Sequence, residues 1–158
     1  MSDKDIDGVM AVAEQAFPDH PEEVAVFKER LALYPAGCFA LADPSDTILG
    51  YCISYPWELG AIPPLNSPLG TVPKESATLY LHDLALHHDA RSQGYTKEIL
   101  HRLDEKMAQQ NGGAIALVSV NSSVPFWESN GFVVQSTPAL TKKLESYGAD
   151  ARYMVKNF

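Results

Sequence analysis

The sequence predicts a mixed α/β domain, and three observations lead there. Segments with the apolar spacing of helices alternate with strand-like runs along the chain. One strand passes through a short polar turn directly into a long helix, which leads to a second strand that reads as buried. The resulting order is α, α, β, β, loop, β, α, β, α, β, β, a mixed sheet with one strand–helix–strand crossover at its centre. A chain of 158 residues fits a single domain spanning 1–158. Its apolar share of 46% is enough to build a core.

Each element has a local reason. "DIDGVMAVAEQAF" places Ile6, Val9, Met10, Ala13 and Phe17 on one helical face. "DHPEEVAVFKERLALYP" reads as a second helix, with Pro21, Glu22 and Glu23 as its first turn and a stop before Pro35. "GCFALAD" and "TILGYCISYPW" are apolar, β-branched and aromatic, and the turn residues "DPSD" between them predict an antiparallel hairpin. The stretch from Glu58 to Ser76 is too rich in Pro and Gly for regular structure. It is long for a loop in a small domain, and loops of that length commonly wall or cover a site. "ATLYLHDLALH" reads as a strand. "YTKEILHRLDEKMAQQN" reads as a helix with Ile99, Leu100, Leu103 and Met107 inward, closed by Gly112 and Gly113. "AIALVSV" is a buried strand, "SVPFWESNG" a short helix, and "FVVQ" and "ARYMVKN" two further strands.

Composition removes several functions. A net charge of −8 argues against a nucleic-acid surface. No apolar run reaches membrane-spanning length, and "MSDKDID" does not read as a signal peptide. Cys38 and Cys52 lie in strand-like runs with no metal or disulfide spacing, which fits a reducing cytoplasm.

The stretch "LHDLALHHDARSQGYTKEIL", Leu81 to Leu100, carries the chemistry. A helix N-terminus presents unpaired N–H groups and a partial positive charge. A glycine in the turn before it lets a ligand approach the backbone. Arg91 at the entry to the turn and Gly94 within it therefore suggest an anion site, for which a pyrophosphate is suited. Read without context, the same residues also describe an ordinary strand-to-helix turn.

The wider stretch resembles the GNAT superfamily of acetyl-CoA-dependent N-acetyltransferases. "RSQGYT" matches the family's Arg/Gln-x-x-Gly-x-Gly/Ala except at its last position, and "VPFWESNGF" resembles its aromatic-Glu-x-x-Gly-Phe segment. The resemblance covers Gly37 to Phe132 well and the N-terminal helices loosely. Within the superfamily, "LHDLALHHDARSQG" together with "VPFW" is most similar to the arylalkylamine (serotonin) N-acetyltransferases and their microbial relatives. The implied fold is a mixed, mostly antiparallel sheet flanked by helices, its first strand missing or very short here. Three positions depart from the pattern. Thr96 stands where Gly or Ala is usual. Trp127 replaces the usual Tyr acid, and an indole N–H is not a useful acid. Tyr80 occupies the place of the first of two catalytic histidines, leaving only His82.

The resemblance implies acetyl-CoA as co-substrate, with its pyrophosphate on the turn Arg91, Ser92, Gln93, Gly94, Tyr95, Thr96 and Lys97. Leu84, Ala85 and Leu86 would pair along the pantetheine arm, a backbone N–H near Leu84 would stabilise the oxyanion, and Asn121, Phe126 and Trp127 would complete the cofactor side. An alkylammonium has a pKa of roughly 10 and must lose a proton before it can react. His82 is the first candidate for the base that takes it. Asp83 lies on the opposite face of a regular strand unless a bulge intervenes, as the resemblance implies. Tyr80, Tyr147 and Ser123 are candidate donors to the leaving thiolate.

Several residues keep two readings. Asn121 either bonds the cofactor or caps the short helix, and Tyr51, Tyr55 and Trp57 either line an amine pocket or pack the core. Asp104 and Glu105 read as a solvated face. His87, His88 and Asp89 with His82 raise a metal site, but strand alternation separates His82 from His87, and no metal is assigned. The expected activity is a cytoplasmic N-acetyltransferase acting on a small primary amine, an arylalkylamine or a polyamine, by direct attack in a ternary complex. The enzyme would be a monomer or homodimer with no nucleic-acid or membrane partner. The alternatives are acetylation of a protein N-terminus or lysine, and a non-catalytic acyl-CoA-binding module.

Overall fold

A computed structural model describes residues 1–110 and 113–158. Its elements run α1 (Ile6–Ala16), α2 (Val24–Leu33), β1 (Cys38–Ala42), β2 (Ile48–Pro56), β3 (Thr78–Leu86), α3 (Tyr95–Gln109), β4 (Ala114–Ser119), α4 (Val124–Ser129), β5 (Val133–Val134), α5 (Pro138–Leu144) and β6 (Arg152–Asn157). The strands form one six-stranded sheet in the order β1-β2-β3-β4-β6-β5. The fold is thus the mixed sheet with flanking helices that the sequence predicts. Helix α3 makes the crossover between β3 and β4, which pair in parallel from Thr78 opposite Ala114 to Tyr80 opposite Ala116. The expected closure of α3 at Gly112 lies outside the described residues.

The chain divides into two compact units, Met1–Tyr55 with Pro64–Val72 and Leu81–Asp104, and Pro56–Pro63 with Pro73–Tyr80 and Glu105–Phe158. In the first, β1 and β2 form the expected antiparallel hairpin, with Cys38 opposite Ile53. Asp43 holds the turn, its carboxylate accepting from the N–H groups of Ser45 and Thr47. Ile6, Val9, Val12 and Ala13 of α1 are buried, as are Val26, Phe27 and Leu31 of α2. Phe27 meets Tyr51 edge-on at 5.9 Å, so α2 covers the face of β2 that carries the odd-numbered side chains. Leu100 is buried on the inward face of α3.

The backbone passes very close to itself where α2 hands over to β1. A Cβ at Gly37 would lie 2.0 Å from the Ser54 carbonyl oxygen, and the Ser54 hydroxyl donates to the Gly37 carbonyl at 3.0 Å. Gly37→Ala is expected to destabilise the fold by about 1–3 kcal/mol, the scale of overpacking. Calorimetric unfolding checks this, and an unchanged Tm would contradict the close approach.

In the second unit, β6 pairs antiparallel with β4 from Ala114 opposite Asn157 to Ser119 opposite Arg152, and with β5 at Val133 and Val134. Ile115, Ala116, Leu117, Tyr153 and Met154 fill its core. Helix α5 is absent from the sequence-based order. It has a proper start, because the Thr137 hydroxyl accepts from the Leu140 N–H and Pro138 occupies the first turn. Only Leu140 buries from its seven residues, too few to produce a periodic apolar pattern.

Candidate active site

Strand β3 breaks its own alternation. Tyr51 and Tyr55 are four residues apart on β2 and share a face. The Tyr51 hydroxyl donates to Asp83 at 3.0 Å, and the Tyr55 hydroxyl lies 3.1 Å from His82 Nδ1. Consecutive residues of β3 therefore turn to the same face. The backbone shows the cause. Trp57 N–H donates to the Thr78 carbonyl near one end of the strand pair, and His87 N–H donates to the Leu49 carbonyl near the other. Between those bonds β3 carries one more residue than β2, which is a bulge. This is the displacement that brings Asp83 beside His82.

The third member of the cluster comes from the connection between α1 and α2. Glu22 Oε2 lies 2.7 Å from His82 Nε2, and each of the two side chains is 5% exposed. The sequence reading of Pro21–Glu23 as the first turn of α2 is corrected here. The helix begins at Val24, and Glu23 before it is extended. Glu22 is drawn out of the helical course by its bond to an imidazole 60 residues away, a contact that local spacing does not reveal.

A second set of bonds fastens part of the Pro/Gly-rich loop to the same place. Glu22 Oε1 accepts the Asn66 N–H at 2.6 Å, and Asn66 Oδ1 accepts the Glu23 N–H at 2.7 Å. Arg30 on α2 is 1% exposed. It donates to Glu29 at 2.6 Å and to the Ser67 carbonyl at 2.9 Å. Glu29 accepts the Leu69 and Gly70 N–H groups, each at 2.9 Å. The Arg30 guanidinium also stands over the Tyr55 ring at 5.8 Å, which places a cation against the same aromatic face.

These groups settle each other's protonation. Burial works against the charged imidazole of His82, but the Asp83 charge and the hydrogen bond and charge of Glu22 outweigh it and raise its pKa above 6.5. Burial pushes the Glu22 carboxyl up. The hydrogen bond and charge of His82, the Asn66 N–H and Arg30 overcome that and hold it below 4.5. Burial raises Asp83, with the Glu22 charge adding and His82 and the Tyr51 bond opposing. Both shifts favour the proton on the imidazole and the charge on the Glu22 carboxylate. When His82 is neutral, its Nε2–H points to Glu22, because a carboxylate can only accept. That leaves Nδ1 as the basic atom, facing the Tyr55 hydroxyl.

Beyond β3 the chain makes the turn expected for anion binding. Ser92 and Gly94 have φ of 61° and 87°, and α3 starts at Tyr95. The N–H groups of Tyr95 and Thr96 lie in the first helical turn and have no helical acceptor. A Cβ built on Gly94 meets no atom within 4 Å, so the turn presents open space to solvent. Arg91, Ser92, Gln93, Tyr95 and Lys97 are exposed, and Thr96 is half-buried. Arg91 Nε reaches back to the Leu86 carbonyl at 3.5 Å, and Gln93 donates to the Asp89 carbonyl at 2.7 Å. This cradle suits a pyrophosphate, which needs convergent donors and close backbone approach. Leu84 and Leu86 are half-buried and Ala85 is buried in the strand leading to it.

The remaining candidates lie in the other unit. Tyr80 is 2% exposed. Trp127 turns its indole inward, donating from Nε1 to Ser123 Oγ at 3.1 Å, with its ring edge-on to Phe126 and Phe132. Ser123 in turn donates to the Val120 carbonyl at 2.7 Å. Tyr147 donates to the Pro63 carbonyl at 2.7 Å. The hydroxyls of Ser123 and Tyr147 thus hold the chain together here. Asn121 does not cap α4, whose N-cap is Ser123. Asn121 and Ser122 both adopt left-handed backbone, with φ of 54° and 57°, and the Ser122 N–H is held by Asp150 at 2.8 Å.

Tyr51 and Tyr55 are buried, with their hydroxyls directed to Asp83 and His82. His87, His88 and Asp89 form their own small group, the two rings 3.4 and 3.0 Å from the Asp89 carboxylate, and no metal is assigned to it. Among the described residues, no helix is long and apolar enough to cross a membrane.

A six-stranded mixed sheet whose crossover helix opens on a glycine turn is the scaffold of an acyl-transfer enzyme. The chain belongs to the acetyltransferase (GNAT) family, whose model matches residues 7–132. Members of that family use acetyl-CoA as co-substrate. Solved structures share the fold. Ard1 from Thermoplasma volcanium superposes with a TM-score of 0.72 at 16% identity, covering 99% of this chain and 93% of that one. The PaiA N-acetyltransferase from Thermoplasma acidophilum, in complex with coenzyme A, gives 0.65 at 13% identity, over 100% and 96%. The ribosomal-protein-S18-alanine N-acetyltransferase from Escherichia coli gives 0.65 at 15% identity, over 99% and 90%. No protein of curated function matches the sequence.

Proposed function

We propose that the protein transfers the acetyl group of acetyl-CoA to a small primary amine in a ternary complex, with His82 as general base. The observation that carries this reading is the hydrogen-bonded series Glu22–His82–Tyr55 on the bulged strand. Glu22 orients the imidazole so that Nδ1 is the basic atom, and the Tyr55 hydroxyl bonded to it would relay a proton from the substrate ammonium. Asp83, at the adjoining position, and Glu22 supply the negative charge that favours an ammonium nearby. Acetyl-CoA when bound supplies the thioester. Its pyrophosphate would be held by the backbone of Ser92–Lys97 with Arg91 alongside, and Leu84–Leu86 would orient the pantetheine arm. The N–H near Leu84 would serve the developing oxyanion.

A free arylalkylamine or polyamine is preferred to a protein acceptor on the resemblance carried by "LHDLALHHDARSQG" and "VPFW". The arylalkylamine group remains the nearest subgroup by motif. Two free, buried thiols, Cys38 and Cys52, suit a reducing cytoplasm. The experiment is steady-state turnover against phenethylamine, spermidine and an N-terminal peptide, where a preference for the peptide would replace this reading with the protein-acceptor one.

Trp127→Tyr bears on the leaving group. It is expected to leave kcat unchanged, because the polar edge at this position is satisfied by Ser123. A faster single turnover would show instead that protonation of the thiolate limits the rate.

A further inference from the structure

His82 is placed for proton transfer and yet sealed. Its two ring nitrogens are engaged, and its side chain and that of Glu22 are each 5% exposed. The residue that seals it, Glu22, has divided its carboxylate. One oxygen takes the backbone N–H of Asn66 and the other takes the imidazole. Asn66 is held in left-handed backbone with φ 45° and closes the connection by accepting from Glu23. Farther along the same segment, Ser67, Leu69 and Gly70 are tied only through backbone atoms to Arg30 and Glu29.

We propose that residues 64–72 form a strap that must lift for an amine to reach His82, and that Glu22 is a positioning residue acting as its catch, so that strap release and the proton affinity of His82 are one linked event. This rests on His82 being the base. Fastened, Glu22 holds the imidazole in place and its Nε2 proton on the ring. Released, it leaves the imidazole free to turn and an acidic side chain free to meet the incoming ammonium. Every bond that fastens the segment to Glu22, Glu29 and Arg30 ends on strap backbone or on Asn66. The groups facing His82 are Glu22 from the α1–α2 connection, Arg30 from α2, Tyr51 and Tyr55 from β2, and Asp83 beside it. Of these, Glu22 and Arg30 also hold the strap.

Linkage requires the coupling to run equally in both directions, and two variants read it from opposite ends. Asn66→Ala removes the acceptor of the Glu23 N–H, the side-chain tie that closes the connection, without touching His82 or the Arg30–Glu29 pair. It is expected to lower the proton affinity of His82, read by NMR titration of the ring, by roughly tenfold, within the usual range of such couplings. His82→Gln does not touch the strap, and it is expected to speed amide exchange at Asn66, Leu69 and Gly70 by about the same factor. In the wild type, which needs no substitution, the Asn66 amide shift should titrate with the midpoint of the His82 ring. For Glu22→Gln the lower limb of the kcat/KM profile should move to lower pH, which a purely structural role would not produce. An Asn66 amide blind to the His82 titration, or strap exchange unchanged in His82→Gln, overturns the proposal. If those fail while His82→Gln still loses its rate, the base assignment stands and the strap falls. If the coupling is present while His82→Gln turns over at the wild-type rate, the base assignment falls and the proposal that rests on it falls with it.

Discussion

His82→Gln is expected to lower kcat/KM by roughly a hundredfold, the scale of general base catalysis, while acetyl-CoA affinity stays the same. Glutamine can still donate to Glu22 and meet the Tyr55 hydroxyl, so the cluster keeps its hydrogen bonds and loses only the group that takes a proton. In the wild type the rate should rise with pH through the His82 titration, which lies above 6.5 because Asp83 and Glu22 outweigh burial. Stability should move the other way. His82 has a raised folded-state pKa, so its contribution is complete below 6.5 and is lost as pH rises through the folded value. Glu22 has a depressed one, so its contribution is complete above 4.5 and is lost as pH falls through the folded value. The pair therefore stabilises most between those two values, and activity grows as His82 gives up its proton. Amines of different pKa separate this limb from ionisation of the substrate itself. A wild-type rate in the variant would contradict the assignment.

Gly94→Val is expected to weaken acetyl-CoA binding by at least about a hundredfold, which corresponds to about 2.7 kcal/mol, with the fold retained. The residue sits at φ 87°, where a β-branched side chain is strained. The space its Cβ would enter is empty of protein atoms, so the new methyl groups meet solvent in the free protein and the ligand in the bound one. Thermal unfolding together with calorimetric titration separates the two costs, because strain lowers Tm whereas the steric block lowers affinity alone. Unchanged affinity would remove the turn from the pyrophosphate site.

Much of this site was legible in the sequence. The alternation of "LYLHDLALH" marks a strand, the glycine turn marks the helix start, and Ile48–Pro56 with its tyrosines reads as a buried strand. What the spacing missed is the role of Glu22. "HPEEV" carries a good local signal for a helix start, and a buried imidazole reached through the fold overrides it. The bulge at His82 and Asp83 is likewise a property of a strand pair, so alternation along β3 alone puts Asp83 on the wrong face. Trp127 looks like a lost acid in the sequence. In the structure its indole N–H donates to Ser123 and its ring packs edge-on against Phe126 and Phe132. Helix α5 announces itself by Thr137 and Pro138, a cap-and-proline start that apolar periodicity does not register.

Amine acetylation at the expense of acetyl-CoA is measured directly by release of free CoA thiol with and without phenethylamine or spermidine, paired with mass detection of the N-acetyl product. Thiol release is expected to depend on the amine, to equal the amount of acetylated amine, and to be suppressed in His82→Gln. Tight acetyl-CoA binding with no amine-dependent release and no N-acetyl product would contradict amine acetylation.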